Sequence, residues 1–172
     1  VKRSRPYHHP TIMLALDPSH EFAKPARLDA EIVQAGCAVS TGLRGRLHAV
    51  HAHRAASAGS AAARVQGAMA ATARAGLDQA LRSTAIGSAC RHLEAGDPVT
   101  VIRDAARRLG ADIVVAGAVS RSGLKRVFIG NTAERLLDCL PCDLLIVKPP
   151  GFSCTVPRSA RGARLVAVEP LG

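Results

Sequence analysis

At 172 residues the chain can hold one domain with a sizeable core, and 48% of it is apolar, but with one Tyr, three Phe and no Trp that core must be built from Ala, Val, Leu and Ile. Its apolar stretches are far shorter than a membrane span and its basic start lacks the apolar centre of a signal peptide, so a cytoplasmic protein with no membrane partner is expected. The net charge of +10 is split: residues 1–9 and 149–172 contribute +5 from six bases and Glu169, and no aromatics interleave with the bases, so nucleic acid is not the expected partner.

In chain order, the apolar run Thr11–Leu16 reads as a strand closed by the turn residues Asp17, Pro18 and Ser19. Pro25 suits a first helical turn. Leu28, Ile32, Ala35 and Val39 then recur at helical spacing, and Gly42 is expected to stop that helix. Arg46–Ala52 is a second strand. Gly59–Ser60 opens a long Ala-rich helix with Val65, Met69, Ala73, Leu77 and Leu81 on one face. A weak strand is expected near Ser88–Leu93. Asp97 is an N-cap with Pro98 in the first helical position, Ile102, Ala105 and Leu109 line the helix, and Gly110 ends it.

The strand Ile113–Ala116 leads into Gly117–Ala118–Val119–Ser120; after nine intervening residues Gly130–Asn131–Thr132 opens the amphipathic segment Ala133–Leu140. Asn131 occupies an N-cap position and Glu134 completes a capping-box pattern. A glycine loop that leaves a strand and closes on a helix start is suited to phosphate, because free N–H groups and the helix dipole meet an anion that glycine lets come close. The last strand, Leu144–Lys148, is halted by Pro149–Pro150. The alternation predicts an α/β fold, a doubly wound five-stranded parallel sheet flanked by four helices. Residues 1–10 read as a linker or the remnant of a preceding domain, 11–150 as the domain, and 151–172 as a basic, flexible tail.

Two rival constellations carry less. Cys139–Leu140–Pro141–Cys142 lies at a helix end, where the dipole raises thiol pKa, and five scattered cysteines do not form a disulfide framework. They read as small apolar residues. His51 and His53 share a strand face but have no third ligand at suitable spacing, so no metal is expected.

Asp17, the step Gly96–Asp97–Pro98, the motif Gly117…Ser120…Gly130–Asn131 and the ending Cys142–Asp143–Leu144–Leu145–Ile146–Val147–Lys148–Pro149 together resemble the universal stress protein family over about residues 11–150. Gly130–Asn131–Thr132–Ala133–Glu134 and the same ending are most similar to the second domain of bacterial tandem members, and Val1–Lys2–Arg3 resembles the end of a preceding domain. The resemblance implies a Rossmann-like sheet whose first and fourth strands are neighbours, so that Asp17 and Gly117 meet at the switch point where ligands bind.

It further implies a stress-response module that binds ATP, with Mg²⁺, or a related adenine nucleotide. Asp17 would face the adenine–ribose part. Gly117, Ser120, Gly130, Asn131 and Thr132 would hold phosphates, and Arg121, Lys125 and Arg126 would add positive charge. Ser120 stands where the family has Gly, and Asn131 where it has Ser or Thr, with Thr132 next to it. The alternative is a dimerisation or interaction domain of a tandem protein, with a vestigial pocket or another small ligand. No Walker Lys–Ser/Thr pair or well-placed acid marks an enzyme. The last strand is expected to pair with a second such domain, in a homodimer or a tandem pseudo-dimer.

Overall fold

In the computed structural model, the residues described are 6–19, 26–55, 62–118 and 131–148. The elements run β1 (Thr11–Leu16), α1 (Ala26–Leu43), β2 (Arg46–His53), α2 (Ala62–Ala80), β3 (Arg91–Ala95), α3 (Pro98–Leu109), β4 (Ile113–Gly117), α4 (Asn131–Cys139) and β5 (Asp143–Val147), with a 3₁₀ turn at Ser88–Cys90 before β3. All strands are parallel in the order β3-β2-β1-β4-β5. The predicted doubly wound sheet with four helices is therefore the fold, and β1 lies beside β4.

β1 is buried along its whole length, which explains why its sequence is apolar on both faces. Ile12, Leu14 and Leu16 join Leu28 and Ile32 of α1 and Leu77 of α2 in one cluster. On the opposite face Met13 and Ala15 join Ile102 and Ala105 of α3 and Leu136 of α4. Strand alternation thus sends neighbouring residues to two separate cores.

The helix ends show where short-range signals succeed. Asp97 caps α3 by accepting from the Thr100 amide at 3.1 Å, with Pro98 in the first turn. Gly110 ends α3 in the left-handed conformation, φ 60°. At α1 the expectation differs from the outcome. Gly42 lies inside the helix with open space beside it, and the left-handed residue beyond the helix is Arg44, φ 51°. The neighbouring Gly45 is the one under constraint, because a Cβ there would stand 2.6 Å from the Pro10 carbonyl oxygen.

Two other expectations are corrected. Val65 is 48% exposed, while Ala73 and Leu77 of α2 and Leu81 just beyond it are buried. Only the later turns of α2 cover the sheet. The third strand starts at Arg91, after the 3₁₀ turn, because Arg91 anchors that point: its guanidinium donates to the Ile86 carbonyl at 3.0 and 2.8 Å and pairs with Asp78 at 2.9 Å. β2, β4 and β5 match their predicted spans to within one residue. Pro25 and Gly59–Ser60 lie outside the described residues.

A polar stitch closes the amino-terminal edge of the sheet. The Asp112 carboxylate accepts from the Thr11 amide at 2.9 Å, and the Asp112 amide donates to the Thr11 carbonyl at 2.8 Å. The Asp143 amide donates to the Asp112 carbonyl at 3.1 Å, and the Tyr7 hydroxyl donates to the Asp143 carboxylate. Three adjacent strands and the lead-in segment are thereby tied at one end.

Candidate functional site

At the opposite, carboxyl end of the strands the chain leaves β1 for α1 and β4 for the α4 side, and a crevice opens between them. Its floor is made of short side chains, Ala15, Ala52 and Ala116, with Val50 beside them. Pro98 and Ile102 of α3 form one wall and Ala133 and Leu136 of α4 the other. Asp17, Gly117 and Thr132 stand at the rim. The cavity volume is about 80 Å³, well above the roughly 10–15 Å³ that one water needs.

The sequence-predicted residues Asp17, Gly117 and Thr132 are therefore brought together at one crevice. Asn131 is the first residue of α4 rather than a residue preceding it. Ser120, Arg121, Lys125, Arg126 and Gly130 lie outside the described residues, as does the side chain of Asn131.

Asp17 is buried, and its placement depends on a residue that sequence reasoning missed. Its amide donates to both carboxylate oxygens of Asp29, at 3.1 and 3.2 Å, and Asp29 is itself buried in the first turn of α1. A charge-assisted contact of this kind fixes where β1 ends. The available signal was an acid beside Leu28 on the face that α1 buries. The same turn is held from the other side by His51. A carbonyl can only accept, so His51 Nδ1 carries the hydrogen donated to Leu16 O at 3.1 Å, and Nε2 accepts from the Ser19 hydroxyl at 2.7 Å. His53 Nδ1 likewise meets the Arg54 carbonyl at 3.0 Å. Both histidines hold local structure, and among the described residues no group of three or more His, Cys, Asp or Glu could hold a metal ion.

Gly117 has a packing role beside its place at the rim. A Cβ there would lie 2.5 Å from Leu28 Cδ2 and 2.8 Å from Leu28 Cγ. Its glycine lets α1 sit directly on the end of β4.

Electrostatically, the crevice lies between the N-terminal ends of α3 and α4. The α3 end is already occupied by its own Asp97 carboxylate. Burial pushes Asp97 upward, but the Thr100 amide and Arg135 outweigh it and hold this carboxyl below its ordinary value. Arg135 of α4 reaches Asp97 at 3.4 Å across an exposed gap. The N-terminus of α4, with Glu134 in its first turn, faces the same crevice.

Cys139 ends α4 and Cys142 is buried against the α3–α4 core, with Cys139 packed on the same cluster. The pair reads as core, and no disulfide joins the four described cysteines. No helix among the described residues is long and apolar enough to cross a membrane.

Comparison with known proteins agrees with this fold. The chain is 51% identical to universal stress protein E of Salmonella typhi over 65 residues, which are 38% of this chain and 21% of that protein. The match thus spans about a fifth of the length of these curated relatives. A functionally unknown protein of Pseudomonas aeruginosa PAO1 has a similar structure, with a TM-score of 0.70 and 28% identity over 86% of this chain and 50% of that one. Two more distant fold matches are a universal stress protein in complex with cAMP and one from Archaeoglobus fulgidus in complex with dAMP. Their TM-scores are 0.52 and 0.51 at 18% and 14% identity, covering 83% and 81% of this chain and 98% and 97% of theirs. The sequence profile of the universal stress protein family matches residues 11–148, and the chain belongs to that family.

Proposed function

We propose that the crevice between β1 and β4 binds an adenine nucleotide, ATP with Mg²⁺ or a related compound, and that the domain is a stress-response module without catalytic machinery. The observation that carries this reading is the buried Asp17 at the rim of an alanine-floored cavity at the sheet's switch point. Short floor side chains suit a flat base. The Asp17 carboxylate suits ribose hydroxyls, and the α4 N-terminus with Thr132 suits phosphate. Ser120, Gly130 and Asn131 would complete the phosphate side, with Arg121, Lys125 and Arg126 attracting the polyphosphate. The complexes of two distant family members with cAMP and dAMP support the class of ligand.

Equilibrium dialysis of the purified chain against ATP with Mg²⁺, and against dAMP, tests this reading. Saturable binding that weakens about tenfold in Asp17→Ala is expected, an effect of roughly 1.4 kcal/mol. Absence of binding at millimolar nucleotide would end it. A second reading rests on Gly117, whose glycine is accounted for by contact with Leu28 alone. In that case the pocket is vestigial, and the domain serves pairing through β5, which ends the sheet with half-buried Leu144 to Val147. A homodimer, or a pseudo-dimer with a sister domain of a tandem protein, is the proposed assembly in both readings. A monomeric mass in light scattering across a wide concentration range would argue against the homodimer.

A further inference from the structure

Away from the crevice, His48 of β2 and His92 of β3 lie against each other across adjacent strands. Val50 is the register partner of His92, so His48 stands two residues before that pair on the same face of the sheet. His48 Nδ1 and His92 Nε2 are 3.1 Å apart, with ring planes at 22° and centroids 5.3 Å apart. The rings therefore meet at their nitrogens rather than face over face. Both side chains are half-buried.

The charged surroundings are defined on every side. Burial, then Arg46, lowers the His48 pKa. Burial, then His48 and Arg108 of α3, with a smaller part from Arg74 of α2, lowers that of His92 against the opposing charge of Glu94. Glu94 is ion-paired to Arg108. A neutral imidazole nitrogen is the form that ligates metals.

We propose that His48 and His92 form a two-histidine site for a divalent first-row metal ion, copper(II) in preference to nickel(II) and zinc(II), ligated through His48 Nδ1 and His92 Nε2 with water completing the shell. Metal–nitrogen bonds of about 2.0–2.1 Å set two neighbouring nitrogens ~2.9 Å apart on a square-planar ion and ~3.3 Å apart on a tetrahedral one. The observed 3.1 Å lies between these values, and with the centroids 5.3 Å apart the two nitrogens now face each other, so each ring must turn about its Cβ–Cγ bond for both lone pairs to converge on one ion. On binding, the ring that donates the shared hydrogen moves it to its other nitrogen, and no net proton is released above the pKa of the pair. Arg46, Arg74 and Arg108 repel the ion and Glu94 attracts it, which makes the site an exchangeable one whose affinity rests on two metal–nitrogen bonds. The preference for copper follows the general order of divalent affinities for nitrogen ligands.

The test is a Cu²⁺ titration of the tag-free chain at about pH 7.5 followed by electron paramagnetic resonance, with Zn²⁺ titration followed by ¹⁵N imidazole spectra. One Cu²⁺ with two-nitrogen superhyperfine structure is expected, and Zn²⁺ should shift His48 Nδ1 and His92 Nε2. Affinity should fall in His48→Ala and in His92→Ala by at least the roughly tenfold lost with an outer-shell partner. It should survive in the double variant His8→Ala/His9→Ala, which removes the adjacent histidine pair of the lead-in segment. Folding of each variant is checked by circular dichroism. Unchanged affinity in both single variants, shifts confined to other histidines, or the absence of saturable Cu²⁺ binding would each overturn the assignment.

Discussion

Gly117→Ala offers a quantitative check on how α1 sits on the sheet. The added methyl would stand 2.5 Å from Leu28 Cδ2, 2.8 Å from Leu28 Cγ and 3.2 Å from Ile32 Cδ1, where carbon atoms at rest keep about 3.5–4.0 Å. Leu28 and Ile32 are fully buried and have no solvent to swing into. Relief therefore requires an off-rotamer Leu28 or a shift of α1 away from β4, and overpacking of this kind costs about 1–3 kcal/mol. For a chain of this size each kcal/mol lowers Tm by about 2–4 °C, so a fall of roughly 2–12 °C is expected. Urea unfolding should give a lower midpoint at unchanged slope. Leu28→Ala alone should cost about 2–5 kcal/mol. In that background the new methyl occupies vacated space, so Gly117→Ala should cost less than it does in the parent chain, a coupling of about 0.5–3 kcal/mol. An unshifted midpoint in Gly117→Ala, or strict additivity in the double variant, would refute the packing argument.

Gly36→Ala should also destabilise the domain, because its Cβ would overlap Leu14 Cδ2 on β1; a melting temperature equal to the parent's would contradict this. Asp97→Ala should cost about 1 kcal/mol through loss of the α3 N-cap. The folded Asp97 pKa is depressed, so the contribution is complete above the unfolded value near pH 4 and is lost as pH falls through the folded value. Chemical unfolding of the two proteins should therefore show a larger gap at pH 7 than at pH 2. The His48 and His92 pKa values are also lowered. Below the unfolded value near 6.5 the unfolded chain binds more protons, so stability should fall on acidification through that range. His48→Gln/His92→Gln should flatten the midpoint-against-pH curve there, and an unaltered slope would assign the dependence to other groups.

Much of the fold was legible because its signals are local. Asp97 and Gly110 delimit α3 by hydrogen bonding and by backbone conformation within a few residues, and the structure uses both as read. Ile113–Ala116 reads as an unalternating apolar run because both faces of that strand are covered, whereas Leu144–Val147, which reads the same way, is a half-buried strand at the sheet edge. What failed depended on partners distant in sequence. Gly42 and Gly45 look alike as helix terminators, and only the approach of Pro10 distinguishes the constrained one. The start of β3 is set by contacts of Arg91 with Ile86 and Asp78. At the candidate site, Asp17, Gly117 and Thr132 converge as a switch-point argument requires. Asp29 escaped notice because its job is to accept from a backbone amide twelve residues earlier in the chain, which no side-chain motif encodes. The packing duty of Gly117 was hidden in the same way by its place in a glycine motif.

The knot of Asp112, Thr11, Asp143 and Tyr7 gives the sheet two ends with different obligations. Cohesion between β1, β4 and β5 is secured at the edge farthest from the crevice, by groups no ligand at the crevice would touch. Of the rim residues, Asp17 and Gly117 are tied to α1 through Asp29 and Leu28, whereas Thr132 takes no part in fastening the strands and can be exchanged. A family built on this plan has latitude to change what it recognises while keeping its frame. In a saturation-mutagenesis survey, tolerance should be graded along the strand axis, lowest at Asp112 and highest at positions such as Thr132.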